Sequence, residues 1–145
     1  MYRHILIPTD GSKLSGKAVT HGIALAKRIG AKITVLTVSA PFHMLTVDTQ
    51  MLEDTRAQYQ ARIEDYVERL LDDVARAAKR AAVHCDKRHV EHEHPYRAII
   101  ATARSRTCDL IVMASHGRSG IRAIVLGSET VKVLTHSKIP VLVHR

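Results

Sequence analysis

Short apolar runs alternate along this chain with longer segments that have helical spacing. The runs at His4–Pro8 and 32–38 are rich in branched aliphatic residues and too short for a core helix, so we predict buried β-strands there. Between them, residues 12–29 place apolar side chains near helical spacing, with Ser12 available as the N-cap and Gly30 as the end. The chain therefore begins with a predicted strand, helix and strand.

The alternation continues to the last residues. From about 51 to 82, apolar positions lie three, four and seven apart, which predicts a long amphipathic helix. The half-polar run 83–90 predicts an edge strand, and residues 95 to about 106 predict a helix with Pro95 in its first turn. The final predicted elements are a buried strand, a helix and a last strand, at residues 109–114, about 128–135, and 140–144.

This order of elements predicts the architecture. Alternating strands and helices favour right-handed crossovers and a parallel sheet covered by helices on both faces. We therefore expect one α/β domain over residues 1–145, doubly wound, with five mainly parallel strands and about four helices. Ligands of such sheets bind beyond the carboxyl ends of the strands, where the winding reverses. Three loops meet that condition, at residues 8–12, 38–40 and 115–128.

Composition narrows the classes of function. No apolar run is long enough to cross a bilayer, so we expect a cytoplasmic protein with no membrane partner. The net charge of +8 attracts polyanions, but the chain has no Trp and one Phe to stack on bases. Nucleic acid is therefore not expected as the main ligand. Cys85 and Cys108 lack a redox or metal spacing and are expected to behave as small hydrophobic residues.

Three of the seven glycines, Gly117, Gly120 and Gly127, fall in one stretch after the fourth predicted strand. Glycine there lets a ligand approach the backbone, and a helix start after Gly127 would favour a phosphate. The stretch matches neither the dinucleotide fingerprint nor the P-loop. From the residues alone, an anion site and a plain turn before a helix are both open.

Other polar clusters give weaker indications of function. His89, His92 and His94 could indicate a metal, but they do not share one strand face, and a polar loop is the preferred interpretation. Ser12, Ser119 and Ser128 have no assignable triad partners, so no catalytic residue is predicted.

The glycine-rich stretch resembles a known signature. Ala114-Ser115-His116-Gly117, followed after nine residues by Gly127-Ser128, is similar to the G-x-x-G-x9-G-[ST] pattern of the ATP-binding class of the universal stress protein family. The segments HILIPTDGS, GAKITVLTV, CDLIVMA and IPVLVHR extend the resemblance over nearly the whole chain, with the region from about 40 to 94 uninformative.

The resemblance implies an ATP site, or a site for another adenine nucleotide, with or without Mg²⁺. It places the adenosine part beside Pro8, Thr9 and Asp10, with Asp10 near the adenosine or a metal ion and the backbone of Val38 at the adenine. Met113 and Ala114 would flank the ribose. The phosphates would lie along Gly117, Gly127, Ser128, Glu129 and Thr130, and charge alone adds Arg118. It also implies a homodimer formed through the last strand, 140–144.

Two positions depart from the expected pattern. Ala114 stands where the signature has its first glycine, and Glu129 adds a carboxylate to the first turn of the helix that should hold phosphate; we expect its side chain to turn outward. Three functions stay open: a nucleotide-binding regulator of a stress response, a slow ATPase or autophosphorylating enzyme in which Asp10 helps to hold Mg²⁺, and an interaction module with a degenerate pocket.

Overall fold

Strands and helices alternate as the sequence predicts. The structure, a computed structural model, describes residues 1–45, 56–117 and 126–145. Its elements are β1 (His4–Pro8), α1 (Lys13–Ile29), β2 (Lys32–Ser39), a short 3-10 helix (Phe42–Leu45), α2 (Arg56–Arg80), β3 (Cys85–Glu91), α3 (Pro95–Ser105), β4 (Leu110–Ala114), α4 (Ser128–His136) and β5 (Val141–His144). The bounds lie close to the predicted ones, but the predicted start of the long helix, at residues 51–55, falls outside the described residues.

The sheet is doubly wound. Its strand order is β3-β2-β1-β4-β5, and each neighbouring pair is parallel. Alternation along β1 sends Ile5 and Ile7 to the face covered by α1 and α2, and Leu6 to the face covered by α3 and α4. The predicted α/β class, the five strands and the four helices are confirmed, and β3 lies at an edge as expected.

The winding direction reverses between β1 and β4. These strands pair only through Ile5 with Leu110 and Leu6 with Ile111, although β1 continues to Pro8 and β4 to Ala114. The carboxyl ends of the two central strands are therefore not paired with each other. A gap of this kind at the reversal of winding is where doubly wound folds bind ligands.

At the amino edge of the sheet, where the strands begin, a group of polar contacts joins neighbouring segments. The carboxylate of Asp109 accepts hydrogen bonds from the backbone N–H of Arg3, at 2.9 and 3.1 Å, and of His4, at 3.0 Å. The buried imidazole of His4 lies 2.8 Å from the hydroxyl of Thr34. These contacts join β1 to β2 and to the turn before β4.

Burial explains the state of the two cysteines. Cys108 is buried beneath α3, and burial raises the pKa of its thiol to about 11. Cys85 is half-buried, and burial also raises its pKa. Neither thiol is bonded to another. Thiols that stay protonated at neutral pH pack as small hydrophobic groups, which was the expectation for them.

None of the helices that the structure describes is long and apolar enough to cross a membrane.

Candidate functional site

The loop after β1 is held in place by buried hydroxyl groups. The N–H of Thr9 donates to the carbonyl of Leu36 at 2.8 Å, and the hydroxyl of Thr37 donates to the carbonyl of Thr9 at 2.9 Å. The Thr9 hydroxyl lies 2.9 Å from that of Ser15 in α1. Thr9 is itself buried. It therefore fixes the position of the next residue, Asp10, rather than offering its own side chain to a ligand.

Asp10 lies where the loops after β1 and β4 meet. One carboxylate oxygen accepts from the N–H of Ser12 at 2.9 Å, and its carbonyl accepts from the hydroxyl of Tyr66 at 3.0 Å. The other carboxylate oxygen lies so close to Gly117 that a β-carbon there would collide with it. A side chain at position 117 would therefore displace the carboxylate of Asp10 from its present position. The Tyr66 contact was not predicted, because no local signal tells which loop a helical residue reaches.

The start of α4 is clamped against the end of β4. The N–H of Gly127 donates to the carbonyl of Ser115 at 2.7 Å, and the buried hydroxyl of Thr130 donates to the carbonyl of Ala114 at 3.0 Å. A β-carbon on Gly127 would lie 3.1 Å from both Cα and Cβ of His116. Any larger residue at position 127 would therefore need His116 to move by a few tenths of an ångström.

The first turn of α4 has hydrogen-bond donors that the helix does not use. Gly127 is the N-cap, with φ −62° and ψ 152°, and has no side chain to cap the turn. The first bond inside the helix is donated by Val131 to the carbonyl of Gly127, at 3.0 Å. The N–H groups of Ser128, Glu129 and Thr130 precede it and have no acceptor within the helix. Since the N–H of Gly127 is engaged by Ser115, these three are the donors that remain for an anion.

The carboxylate of Glu129 has one partner in α3 and one in its own helix, α4. It accepts from the N–H of Tyr96, at the start of α3, at 2.9 Å, and lies 3.2 Å from the ammonium of Lys132. The same lysine lies over the ring of Tyr96, 5.6 Å from its centroid. Glu129 therefore supplies a cap to α3 and is partly neutralised by Lys132. No local sequence pattern predicts this contact between the two helices.

The adenosine end predicted from the resemblance maps onto the ends of β2 and β4. β1 ends at Pro8, opposite Leu36, while β2 continues to Ser39, so Val38 lies beyond the end of its neighbour. Met113 is only 6% exposed and packs in the core beneath α3 and α4, so only its backbone could border a ligand.

Ala114, the departure from the signature, is 7% exposed. Strand alternation places its methyl group on the face opposite to the Met113 side chain. Its carbonyl serves Thr130. The methyl group of Ala114 is therefore buried by the side chains packed around it. Arg118 and Gly120 lie outside the described residues.

The histidines of the segment before α3 have separate contacts. His89 lies 2.7 Å from the hydroxyl of Ser39, and the Nδ1 of His92 accepts from the N–H of His94 at 2.8 Å. Glu93 pairs instead with His43 at 2.7 Å. Among the described residues there is no group of three or more side chains that could hold a metal ion. His89 lies in β3, and only His92 and His94 lie in the loop between β3 and α3, so the predicted polar loop is shorter than expected.

Comparisons with known proteins cover the whole chain. The model of the Universal stress protein family matches residues 1–145. Universal stress protein MJ0531 of Methanocaldococcus jannaschii is 30% identical over 145 residues, which are 99% of this chain and 82% of the relative. The solved structure of hypothetical protein MJ0577 has a TM-score of 0.82 at 25% identity, covering 99% and 96% of the two chains. A universal stress protein in complex with cAMP has a TM-score of 0.75 at 28% identity, covering 99% and 97%.

Proposed function

Because the chain belongs to the universal stress protein family, we propose that it binds an adenine nucleotide, ATP or a relative of it, at the carboxyl edge of its sheet. Binding would regulate contacts with partners in a cytoplasmic stress response. The observation that carries the proposal is the first turn of α4, whose N–H donors have no side-chain cap. Gly127 packs closely against His116, which keeps these donors near the ends of β1 and β4 that are not paired with each other.

The phosphates would lie at this helix start. Exposed N–H groups and the helix dipole favour an anion there. We assign the contacts to the N–H groups of Ser128, Glu129 and Thr130 and to the exposed hydroxyl of Ser128. Gly117 and Gly127 would act by allowing close approach. The hydroxyl of Thr130 serves Ala114 and leaves only its backbone for the ligand.

The adenosine part would occupy the gap between β1 and β4. Pro8 and Asp10 border it on one side, and the backbones of Met113 and Ala114 on the other, with Val38 beyond the end of β1. Thr9 would support the loop from beneath. If Mg²⁺ accompanies the nucleotide, the carboxylate of Asp10 is a ligand of suitable chemistry, since Mg²⁺ takes oxygen donors. The related protein in complex with cAMP supports an adenine ligand as the class.

The test is direct. Mass analysis of small molecules released from freshly purified protein should find an adenylate. Added ATP with Mg²⁺, ATP with EDTA, and cAMP should each be compared by thermal unfolding, since ligand at about 100 times its Kd stabilises the folded state by about 2.7 kcal/mol. GTP is the matched control for charge. The absence of any shift with the adenine nucleotides, or an equal shift with GTP, would contradict an adenine site.

We also propose a homodimer formed by the edge strand β5. The carbonyls of Pro140 and His144 accept from β4, so alternation turns the backbone polar groups of Val141 and Val143 away from it. The helix before β5, α4, adds two exposed apolar side chains, Val131 at 44% and Leu134 at 41%. Pairing of two copies would satisfy this edge.

The substitution Val143→Pro tests the dimer, because it removes an edge N–H without removing a bond to β4. We expect light scattering to report a dimer for the wild type and a monomer for the variant. Val131→Thr, outside the strand, should weaken the dimer less. A dimer that survives Val143→Pro unchanged would mean that the interface lies elsewhere.

A further inference from the structure

The outward face of α1 carries positive charge, and α1 itself contains no acidic residue. Lys13, Lys17, Lys27 and Arg28 are exposed, and neither α1 nor the wider stretch from 11 to 47 contains Asp or Glu. Within the part of the chain that the structure describes, none of these four side chains takes part in an ion pair. The four charges are therefore available to an external anion.

The neighbouring helix is different. α2 mixes acidic and basic residues, and its three aspartates are in ion pairs: Asp65 with Arg69, Asp73 with Arg76, and Asp72 with Lys87 of β3. Hydrogen bonding to Lys87 lowers the pKa of Asp72. The net charge of +8 is thus not spread evenly over the molecule. It is least compensated on α1.

The chemistry of this face favours recognition by charge alone. The apolar side of α1 is buried against the sheet, and small residues, Gly16, Thr20 and Ala24, lie exposed between the cations. Of the large hydrophobic residues of α1, only Ile29 at its end is strongly exposed, at 38%. Protein interfaces rely on buried aromatic or aliphatic anchors, and membrane-surface helices insert an apolar face. This face offers neither.

We propose that the outer face of α1 is a contact surface for the phosphate backbone of duplex nucleic acid, bound without sequence preference. Lys13 and Lys17 are one turn apart, about 6 Å, and the row ends at Arg28, about 22 Å from Lys13. Duplex DNA presents a charge about every 1.7 Å along its axis, so a straight row of cations of this length meets several phosphates. Single strands are bound mainly by aromatic stacking, for which α1 has no Phe, Tyr or Trp.

The experiment measures binding of a short fluorescein-labelled DNA duplex of mixed sequence to the full chain as KCl is raised. With four phosphate contacts, the slope of log K against log salt should be about −3 to −4. The double substitution Lys17→Gln with Arg28→Gln should reduce the size of the slope by about two, and the affinity at low salt by about tenfold or more. The matched control, Lys79→Gln with Arg80→Gln, removes the same charge from exposed positions in the last turn of α2 and should keep the wild-type slope.

Each other outcome overturns the proposal. Equal losses in the two double variants would mean that net charge, not this face, attracts the duplex. Binding of polyglutamate or of phosphatidylglycerol vesicles as tight as that of the duplex would mean that the surface is not selective for nucleic acid. A wild type with no salt-dependent binding at low salt would leave the face without this role. Circular dichroism checks that both double variants are folded.

Discussion

The amino edge of the sheet, where the strands begin, and the carboxyl edge, where they end, use polar groups in opposite ways. At the amino edge, the carboxylate of Asp109 accepts hydrogen bonds from the backbone N–H groups of Arg3 and His4. The imidazole of His4 is within hydrogen-bond distance of the hydroxyl of Thr34. At the carboxyl edge, the first turn of α4 has no side-chain cap, and glycine stands at two close contacts: Gly117 against the carboxylate of Asp10, and Gly127 against His116. The same parallel sheet therefore has one edge where the backbone N–H groups of Arg3 and His4 have a carboxylate acceptor and one where the donors at the start of α4 have no side-chain cap.

This difference teaches how to separate the two roles by substitution. Removing a polar group at the amino edge should lower the free energy of unfolding and leave ligand affinity unchanged. Changing the carboxyl edge should alter ligand affinity, whatever it does to stability. A substitution that violates this division would show that the two edges are coupled.

Gly127→Val should have the greatest effect. Its β-carbon would lie 3.1 Å from His116, so the start of α4 and His116 have to move apart by a few tenths of an ångström. We expect a loss of stability of about 1–3 kcal/mol and a drop in nucleotide affinity of more than about tenfold. Urea unfolding and calorimetric titration measure the two effects. Gly16→Val is the matched control, since a β-carbon there meets nothing within 4 Å.

Asp109→Ala should destabilise the fold by about 1–3 kcal/mol, because two backbone N–H groups lose their acceptor. The affinity of the folded protein for nucleotide should not change. Asp73→Ala deletes an exposed carboxylate paired only with its own helix and should cost less than about 0.5 kcal/mol. Equal costs for the two variants in urea unfolding would refute a structural role for the amino edge.

The pH dependence of stability should reveal His4. Burial, followed by the nearby charge of Lys32, lowers the pKa of His4 in the folded state. The unfolded chain then binds the proton more readily, so this contribution is complete above about pH 6.5 and is lost as the pH falls through the folded pKa. The free energy of unfolding should decline below about pH 6.5 in the wild type, and His4→Gln should remove that part of the decline. Identical pH profiles above pH 5 would exclude His4 as the source.

Glu129→Gln should have the mildest effect. The amide oxygen can still accept from the N–H of Tyr96, but the negative charge beside the helix start is gone. Affinity for ATP should rise by about 0.2–1 kcal/mol, the usual size for one exposed charge interaction, while affinity for adenosine should stay the same. Titration calorimetry with both ligands tests this. A parallel rise for adenosine would point to a change in helix packing instead of charge.

Much of the fold was predictable because it depends on local patterns. The run HILIP, the Ser12 cap and Gly30 identify β1 and α1, and the structure confirms each: the Ser12 hydroxyl accepts from Ser15, and Gly30 ends the helix with φ 71°. The candidate site was predicted as a set of loops by the same alternation of elements. The roles of individual residues in nucleotide binding stay predictions.

The parts that escaped prediction are contacts between residues far apart in sequence. Nothing near Glu129 indicates that it caps a helix beginning at Pro95, and nothing near Tyr66 indicates that it holds the loop at Asp10. Ala114 looked like a defect in the signature, yet its methyl group is buried and its carbonyl receives Thr130. A sequence pattern shows that alanine replaces glycine at position 114, but it does not show where the added methyl group lies in the fold.

By itself, the sequence determined the order of strands and helices, the family and the location of the glycine-rich loop, because periodicity, capping and spacing are properties of neighbouring residues. Only the tertiary structure decided which donors remain unused at α4, since the N–H of Gly127 is taken by Ser115 across the loop. It also decided that the aspartates of α2 are ion-paired, while the four cations of α1 take part in no ion pair among the described residues. Hydrogen bonds and ion pairs between distant segments depend on where the packed core places them, and that placement is a property of the whole fold.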